Sequence, residues 1–252
     1  MTKRILAAIG LGTGCLLFAA DSPKQRVQVD HTERLDFPPN GALRLTNSVG
    51  VLTVEAWDRS DMEITTIKST KNEIDPSDRE KAAHELDKVH VAAERHGDEV
   101  VITTKYPHRR FLPPYPGDKS ISFYPVARDV NFDLEYHIKV PANARIIVNH
   151  SRGEVNIDGV VGDIQATLLQ GEILLHLPED QRYSTNAKST FGHVDSDFSG
   201  LQKRRGWVLG HRIVGEDSAA THKLNLKVKF GDIVILKIRV PKPPEPLTAA
   251  SK

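Results

Sequence analysis

The sequence predicts an all-β protein: a short β-solenoid or β-roll built from Gly-x-Ile/Val repeats, preceded by an N-terminal β region that carries one helix. Three observations predict it. A phrase of glycine, one polar residue and an alternating run recurs as Gly153-Glu154-Val155-Asn156-Ile157, Gly162-Asp163-Ile164-Gln165-Ala166 and Gly171-Glu172-Ile173-Leu174-Leu175, with looser copies from Gly50, Gly192 and Gly231. The first three glycines follow one another at a fixed interval, and fixed-period repetition of a turn plus a short strand marks a stacked β architecture. Elsewhere, β-branched runs alternate apolar with polar between turn residues, and a single stretch carries helical spacing.

The first element is a leader, residues 1–20. Lys3 and Arg4 precede an uncharged run from Ile5 to Ala20, which Asp21-Ser22-Pro23 breaks. A positive segment, an apolar stretch and small residues describe an export signal. The run is shorter than the roughly 20 residues of a bilayer span, so no stable membrane span is expected once the leader is gone. Cys15 is the only cysteine. A lipidated cysteine wants an apolar residue three places before it, where Gly12 stands, so lipoprotein is the weaker alternative. If Cys15 leaves with the leader, the exported chain holds no thiol and no disulfide.

Residues 21–141 form the N-terminal β region. An alternating stretch from Gln25 to Phe37 ends at Pro38-Pro39-Asn40-Gly41, a turn signal. Leu43 to Thr46 and Val51 to Trp57 read as two strands around Asn47-Ser48-Val49-Gly50, and Met62 to Ser69 alternates again. The helix runs from Asp75 to about Lys88. Asp75-Pro76 offers a cap and a first-turn proline, and Ala82, Ala83, Leu86 and Val89 form a narrow apolar stripe. A hairpin follows, Val89 to Glu94 and Val100 to Thr104 about the turn His96-Gly97-Asp98. Pro107 to Pro125 reads as a long proline-rich loop, and Asn131 to Val140 as a strand.

Residues 142–240 form the repeat domain. Val155 and Ile157 face one way while Glu154, Asn156 and Asp158 face the other. Ile164, Ala166 and Leu168 keep this phase, as do Ile173, Leu175 and Leu177, then Val194 and Phe198. One unit buries too little to fold alone, whereas stacked units share an apolar interior under a polar coat. In the last unit Lys237 and Arg239 share parity with Ile233 and Ile235, so either a bulge shifts the register or both faces are covered. Residues 241–252 form a proline-rich tail.

Composition narrows the function classes. With 39% hydrophobic and 27% charged residues, the 252-residue chain is neither disordered nor an integral membrane protein by composition. Its formal charge is +1, which gives no electrostatic reason to expect nucleic acid as a partner.

Candidate chemistry is sparse. His84-Glu85-Leu86-Asp87-Lys88 nearly spells a zinc-protease helix, but a charged lysine stands where the second imidazole must bind. Asp195 and Asp197 share a face, an arrangement that serves acid/base glycoside chemistry or calcium; charges on a solvent face also serve solubility. Lys203-Arg204-Arg205 and His108-Arg109-Arg110 could serve as anion-binding patches, but both read as solvated turns. The aromatic and proline mix over 106–125 is suited to docking a partner. No nucleophile elbow or phosphate loop is present, and the eleven histidines are scattered. No catalytic, cofactor-binding or metal-ligating residue is assigned, and no cofactor is expected.

With this layout the chain resembles the bacterial putative-adhesin family of exported β-strand-repeat proteins, a domain of unknown function. The resemblance rests on Asn47-Ser48-Val49-Gly50-Val51-Leu52-Thr53-Val54-Glu55-Ala56-Trp57-Asp58 and on Leu134-Glu135-Tyr136-His137-Ile138-Lys139-Val140-Pro141 ahead of the repeats, and spans about residues 40–240. It implies a right-handed β-solenoid-like domain in the periplasm, at the cell envelope or outside the cell, and carries over no catalytic residue. The expected function is a non-enzymatic adhesin-like or scaffolding protein that binds an unknown surface ligand or envelope protein. Outward Glu154, Asn156, Asp163, Gln165 and Thr167 would form its binding face. The alternatives are a carbohydrate-active β-solenoid enzyme and a regulatory partner of an envelope signalling system.

Overall fold

Period-two alternation becomes strand almost throughout the computed structural model, which describes residues 23–106, 132–205 and 210–239. In chain order the strands are β1 Gln28–Asp36, β2 Ala42–Trp57 and β3 Asp61–Thr70, then a 3-10 turn Pro76–Asp78 and helix α1 Arg79–Asp87. The hairpin β4 His90–His96 and β5 Glu99–Lys105 follows, then β6 Phe132–Pro141, β7 Arg145–Asp158 and β8 Ile164–Pro178. The remainder are β9 Tyr183–Phe191, β10 Val194–Ser196, β11 Gln202–Arg205, β12 His211–Gly215, β13 His222–Phe230 and β14 Ile233–Ile238. The protein is mostly β, and these strands join one 14-stranded sheet that does not close.

The centre of that sheet is a stack of bent rungs. β2, β7 and β8 are long strands, each divided by a glycine into a first and a second arm, and neighbours pair in parallel along both arms. Gly50 pairs with Gly153, and Gly153 with Gly171. The next rung is interrupted at its corner: β13 continues the first arms beside β8, β14 continues the second arms, and Gly231 lies between them. β9, Gly192 and β10 make the rung beyond. The later segment 222–238 is thus inserted between β8 and the rung that precedes it in sequence.

The corner demands glycine for two reasons at once. Gly153 and Gly171 hold φ of 123° and 133°, values that L side chains rarely adopt. A Cβ on Gly171 would stand 1.8 Å from the Gly153 carbonyl oxygen, and one on Gly153 1.8 Å from that of Gly50. Each missing side chain is the space into which the preceding rung's carbonyl fits.

This geometry corrects two expectations. The three evenly spaced glycines are not equivalent. Gly162 lies in the loop between β7 and β8, outside the positive-φ set, so two phrases of the sequence build one rung. Its hydrogen matters because a Cβ there would meet the Ala144 carbonyl oxygen at 2.2 Å. The expected pair of strands around Asn47–Gly50 is one strand, β2. Its pairing with β7 shifts between Thr46 and Val49, where Asn47 takes φ 65°, and this irregularity bends the strand without ending it.

Alternation then places the core. Leu43 and Leu45 on the first arm of β2, Leu52 and Val54 on its second, and their counterparts Ile146, Val148, Val155, Ile157, Ile164, Ala166, Ile173 and Leu175 are buried in one apolar cluster. Helix α1 covers the N-terminal end with Leu86 buried and Ala82 and Ala83 half-buried. Asp75 does not cap it by side chain; its carboxylate is 3.2 Å from the Lys24 ammonium instead. The hairpin forms as expected, with Gly97 at φ 61°.

Neither expected explanation of the last unit holds. The register of β14 against β8 is unbroken from Ile233↔Ile173 to Ile238↔Pro178, so there is no bulge. Lys237 is exposed, because β14 outruns β10, and its ammonium sits 5.1 Å from the Phe198 ring centroid. The apolar stem lies along the end of the core while the charge stays in water.

Candidate functional site

A chain that turns at a glycine presents the residue before it on the outside of the bend. Register lines these residues into a ridge along the corner: Val49, Arg152, Gln170, Phe230 and Phe191. Phe191 and Phe230 stack at 5.0 Å between centroids with 9° between planes. They are 43% and 44% exposed, and no other large hydrophobic residue is exposed among the described residues. Water contact on two stacked aromatic rings is unfavourable unless something covers them. The Lys229 ammonium lies 5.5 Å from the Phe230 centroid, a cation–π contact that positions a charge at the ridge. At its end the His193 and His211 rings stack at 4.8 Å, and His211 Nδ1–H donates to the Gly192 carbonyl at 2.8 Å.

On either side of the ridge the outward residues also fall in rows. The first arms carry Thr46, Asn149, Thr167, Lys227, Lys188 and Arg212. The second arms carry Glu135, Val51, Glu154 and Glu172, with Asp232 beside β14. The expected binding residues therefore do not share a face. Glu154 and Asn156 belong to the second arm and Gln165 and Thr167 to the first. Asp163 sits in the turn, where its carboxylate accepts the Lys223 N–H at 2.8 Å. Alternation alone does not reveal the corner that separates them.

Behind the corner is a polar pair in the core. The Ser48 hydroxyl donates to His150 Nδ1 at 2.6 Å, and His150 Nε2–H donates to the Gly50 carbonyl at 3.0 Å. Ser48 is 0% and His150 1% exposed. Burial, the largest influence, pushes the imidazole down to about 4. A serine beside a neutral imidazole is the beginning of a nucleophile and base, but this one is sealed from any substrate. It satisfies the backbone where β2 is irregular, tying the corners of β2 and β7 together. Because the partners are 102 residues apart, no local motif announces them.

The other candidates find ordinary partners. Asp195, in β10, receives the Lys203 ammonium at 3.0 Å, and Asp197, just past the strand end, accepts the Lys237 N–H at 3.3 Å. Lys203-Arg204-Arg205 is not a turn but part of edge strand β11, antiparallel to β12. His84 and Glu85 lie on the exposed side of α1, Glu85 paired with Lys88. Among the described residues, no group of three or more His, Cys, Asp or Glu could hold a metal ion. None of their helices is long and apolar enough to cross a membrane. The leader with Cys15, His108-Arg109-Arg110, most of the 106–125 stretch and the 241–252 tail lie outside the described residues.

A mostly β chain whose central strands stack as parallel bent rungs, with a ridged corner, defines a class of non-closed stacked-sheet proteins. Within that class the chain belongs to the Toastrack DUF4097 family, whose profile matches residues 56–236. A putative cell adhesion protein from Clostridium sporogenes is similar over 83% of this chain and 100% of its own, at 15% identity and a TM-score of 0.46. A putative adhesin from Bacteroides fragilis matches over 83% and 97% at 9% identity and 0.19. A putative lipid binding protein from Parabacteroides distasonis matches over 83% and 97% at 10% identity and 0.23. No curated protein matches the chain.

Proposed function

We propose that this protein is an exported, non-enzymatic binding protein of the cell envelope. In this reading its parallel stack is a short β-solenoid, and the ridge around Phe191 and Phe230 is where it meets a surface ligand or an envelope protein. The exposed stacked pair carries the proposal. Two aromatic rings held in register by two glycine corners form a rigid apolar platform, and rigid aromatic area binds at low entropic cost. Lys229 stands beside it, and Arg152 lies farther along the ridge beyond Gln170, which suits a partner offering both apolar and anionic groups. The alternating polar coat supports the same reading, since it leaves the ridge as the one apolar feature of the described surface. The Ser48–His150 pair is buried, and Asp195 and Asp197 are engaged separately, by the Lys203 ammonium and the Lys237 N–H, so neither pair favours the carbohydrate-active reading.

Pelleting of the purified protein with isolated envelopes of its host tests this. F191A/F230A should abolish co-pelleting while costing the fold only about 1 kcal/mol, the order of one aromatic pair. Wild-type pelleting by a folded double variant would remove the ridge from consideration.

A further inference from the structure

At one register level on each outer face, three successive strands carry charges of one sign. On the first arms Lys227 of β13 is in register with Lys188 of β9, and Lys188 with Arg212 of β12. Lys223 and Lys229 point the same way along β13, and all five are exposed. Among the described residues none of the five has a carboxylate at ion-pair distance; the Arg212 guanidinium donates only to the Asn186 amide oxygen, at 3.1 Å. On the second arms Glu154 of β7 is in register with Glu172 of β8, both exposed. Asp232 takes the next place, since its carbonyl accepts the Ile173 N–H; its carboxylate accepts the His193 N–H at 2.6 Å.

Like charges directly opposite one another on neighbouring strands destabilise a sheet. Each row is therefore a cost to the isolated molecule, on a chain whose formal charge is only +1. The two rows also share a spacing. Both step from rung to rung of one stack, at about 4.8 Å per strand, so three cations on one face are commensurate with three carboxylates on the other.

We infer that the rows are two halves of one contact: the Lys227–Lys188–Arg212 row of one copy seats on the Glu154–Glu172–Asp232 row of a second copy. Because the rows lie on different faces, the contact is heterologous and leaves each copy with one free row, so it adds further copies until it closes into a ring or runs on as an open chain. The inference is independent of the aromatic ridge, which lies between the rows and stays free for a ligand.

Sedimentation velocity of the purified protein tests it at two ionic strengths, where charges are screened over about 30 Å (0.01 M) and about 3 Å (1 M). In 0.01 M salt the weight-average coefficient should rise with protein concentration, and in 1 M salt it should fall to the monomer value. K188E/K227E carries two acidic rows and E154K/E172K two basic ones, so each alone should stay monomeric while their equimolar mixture associates. A wild type that is monomeric at every concentration overturns the inference, as does association that survives either reversal, or a mixture of folded variants that stays monomeric. A monomeric wild type retained on sulfated dextran would assign the basic row to an acidic polymer instead. If a reversal unfolds the chain, K188Q/K227Q replaces it and must lose the low-salt association; unchanged association overturns the inference equally.

Discussion

At the scale of single residues, His150 makes the sharpest statement about stability. Its ring is buried against Ser48 and the Gly50 carbonyl, and burial outweighs the backbone acceptors of Gly50 and Arg152 to hold it near 4, against 6.5 in the unfolded chain. Between those values the unfolded state binds a proton that the native state refuses, so stability rises with pH across the window. Above about 6.5 this group contributes no slope; below about 4 the full penalty, of order 3 kcal/mol, is present. Carboxylates act lower. The Arg34 hydrogen bond holds Glu63 below 4.5, as that of Arg44 does for Glu99, so their stabilisation is complete above 4.5 and is lost as pH falls from there through their depressed values. Urea midpoints should therefore climb from pH 4.5 to 6.5 in the wild type and much less in His150→Gln. Equal slopes would mean that the ring is not buried neutral. Ser48→Ala tests the same bracket at pH 7, where it leaves His150 Nδ1 without its donor and should cost about 1–3 kcal/mol.

At the scale of elements, the corner glycines separate two kinds of constraint. Gly97 and Gly171 both hold positive φ, but a Cβ on Gly97 meets nothing within 4 Å, whereas one on Gly171 meets backbone at 1.8 Å. Gly97→Ala should cost about 1 kcal/mol, the penalty of a left-handed L residue. Gly171→Ala adds a collision between two rungs and should cost at least about 3 kcal/mol. Thermal unfolding of the pair checks this, and similar losses would refute the close approach. The same contrast shows what was legible in the sequence. The hairpin about Gly97, the helix and strands such as β3 follow from alternation and turn residues, which act over a few positions. The phrase at Gly162 looks like those at Gly153 and Gly171 because a loop glycine and a corner glycine precede the same acidic-then-branched pattern; only φ distinguishes them. The insertion of β13 and β14 beside β8, the Ser48–His150 pair and the charged rows depend on strand register between distant segments. No local pattern encodes that register, and so the binding face read from alternation divides across two arms.

At the scale of the whole molecule, the shared core means that rungs do not hold equal positions. β7 and β8 have neighbours on both sides of both arms, whereas β4 pairs only with β5, and β1 and β11 end the sheet. Where each unit contacts only its neighbours, opening an end removes one interface and opening the middle removes two. Native-state hydrogen exchange should follow this order. Amides of the β7 and β8 pairing should exchange only through global unfolding, and those of β1, β4 and β11 through local opening at much smaller free energies. Leu175, 0% exposed in the middle of the stack, supplies the decisive comparison. Leu175→Ala should lower the global free energy by about 2–5 kcal/mol and speed exchange throughout β7 and β8 accordingly. Exchange in β4 should stay unchanged, because its opening does not pass through the global state. Were β4 to accelerate as much as β8, the stack would have to open as a single unit, and the rungs would not be the building blocks of its stability.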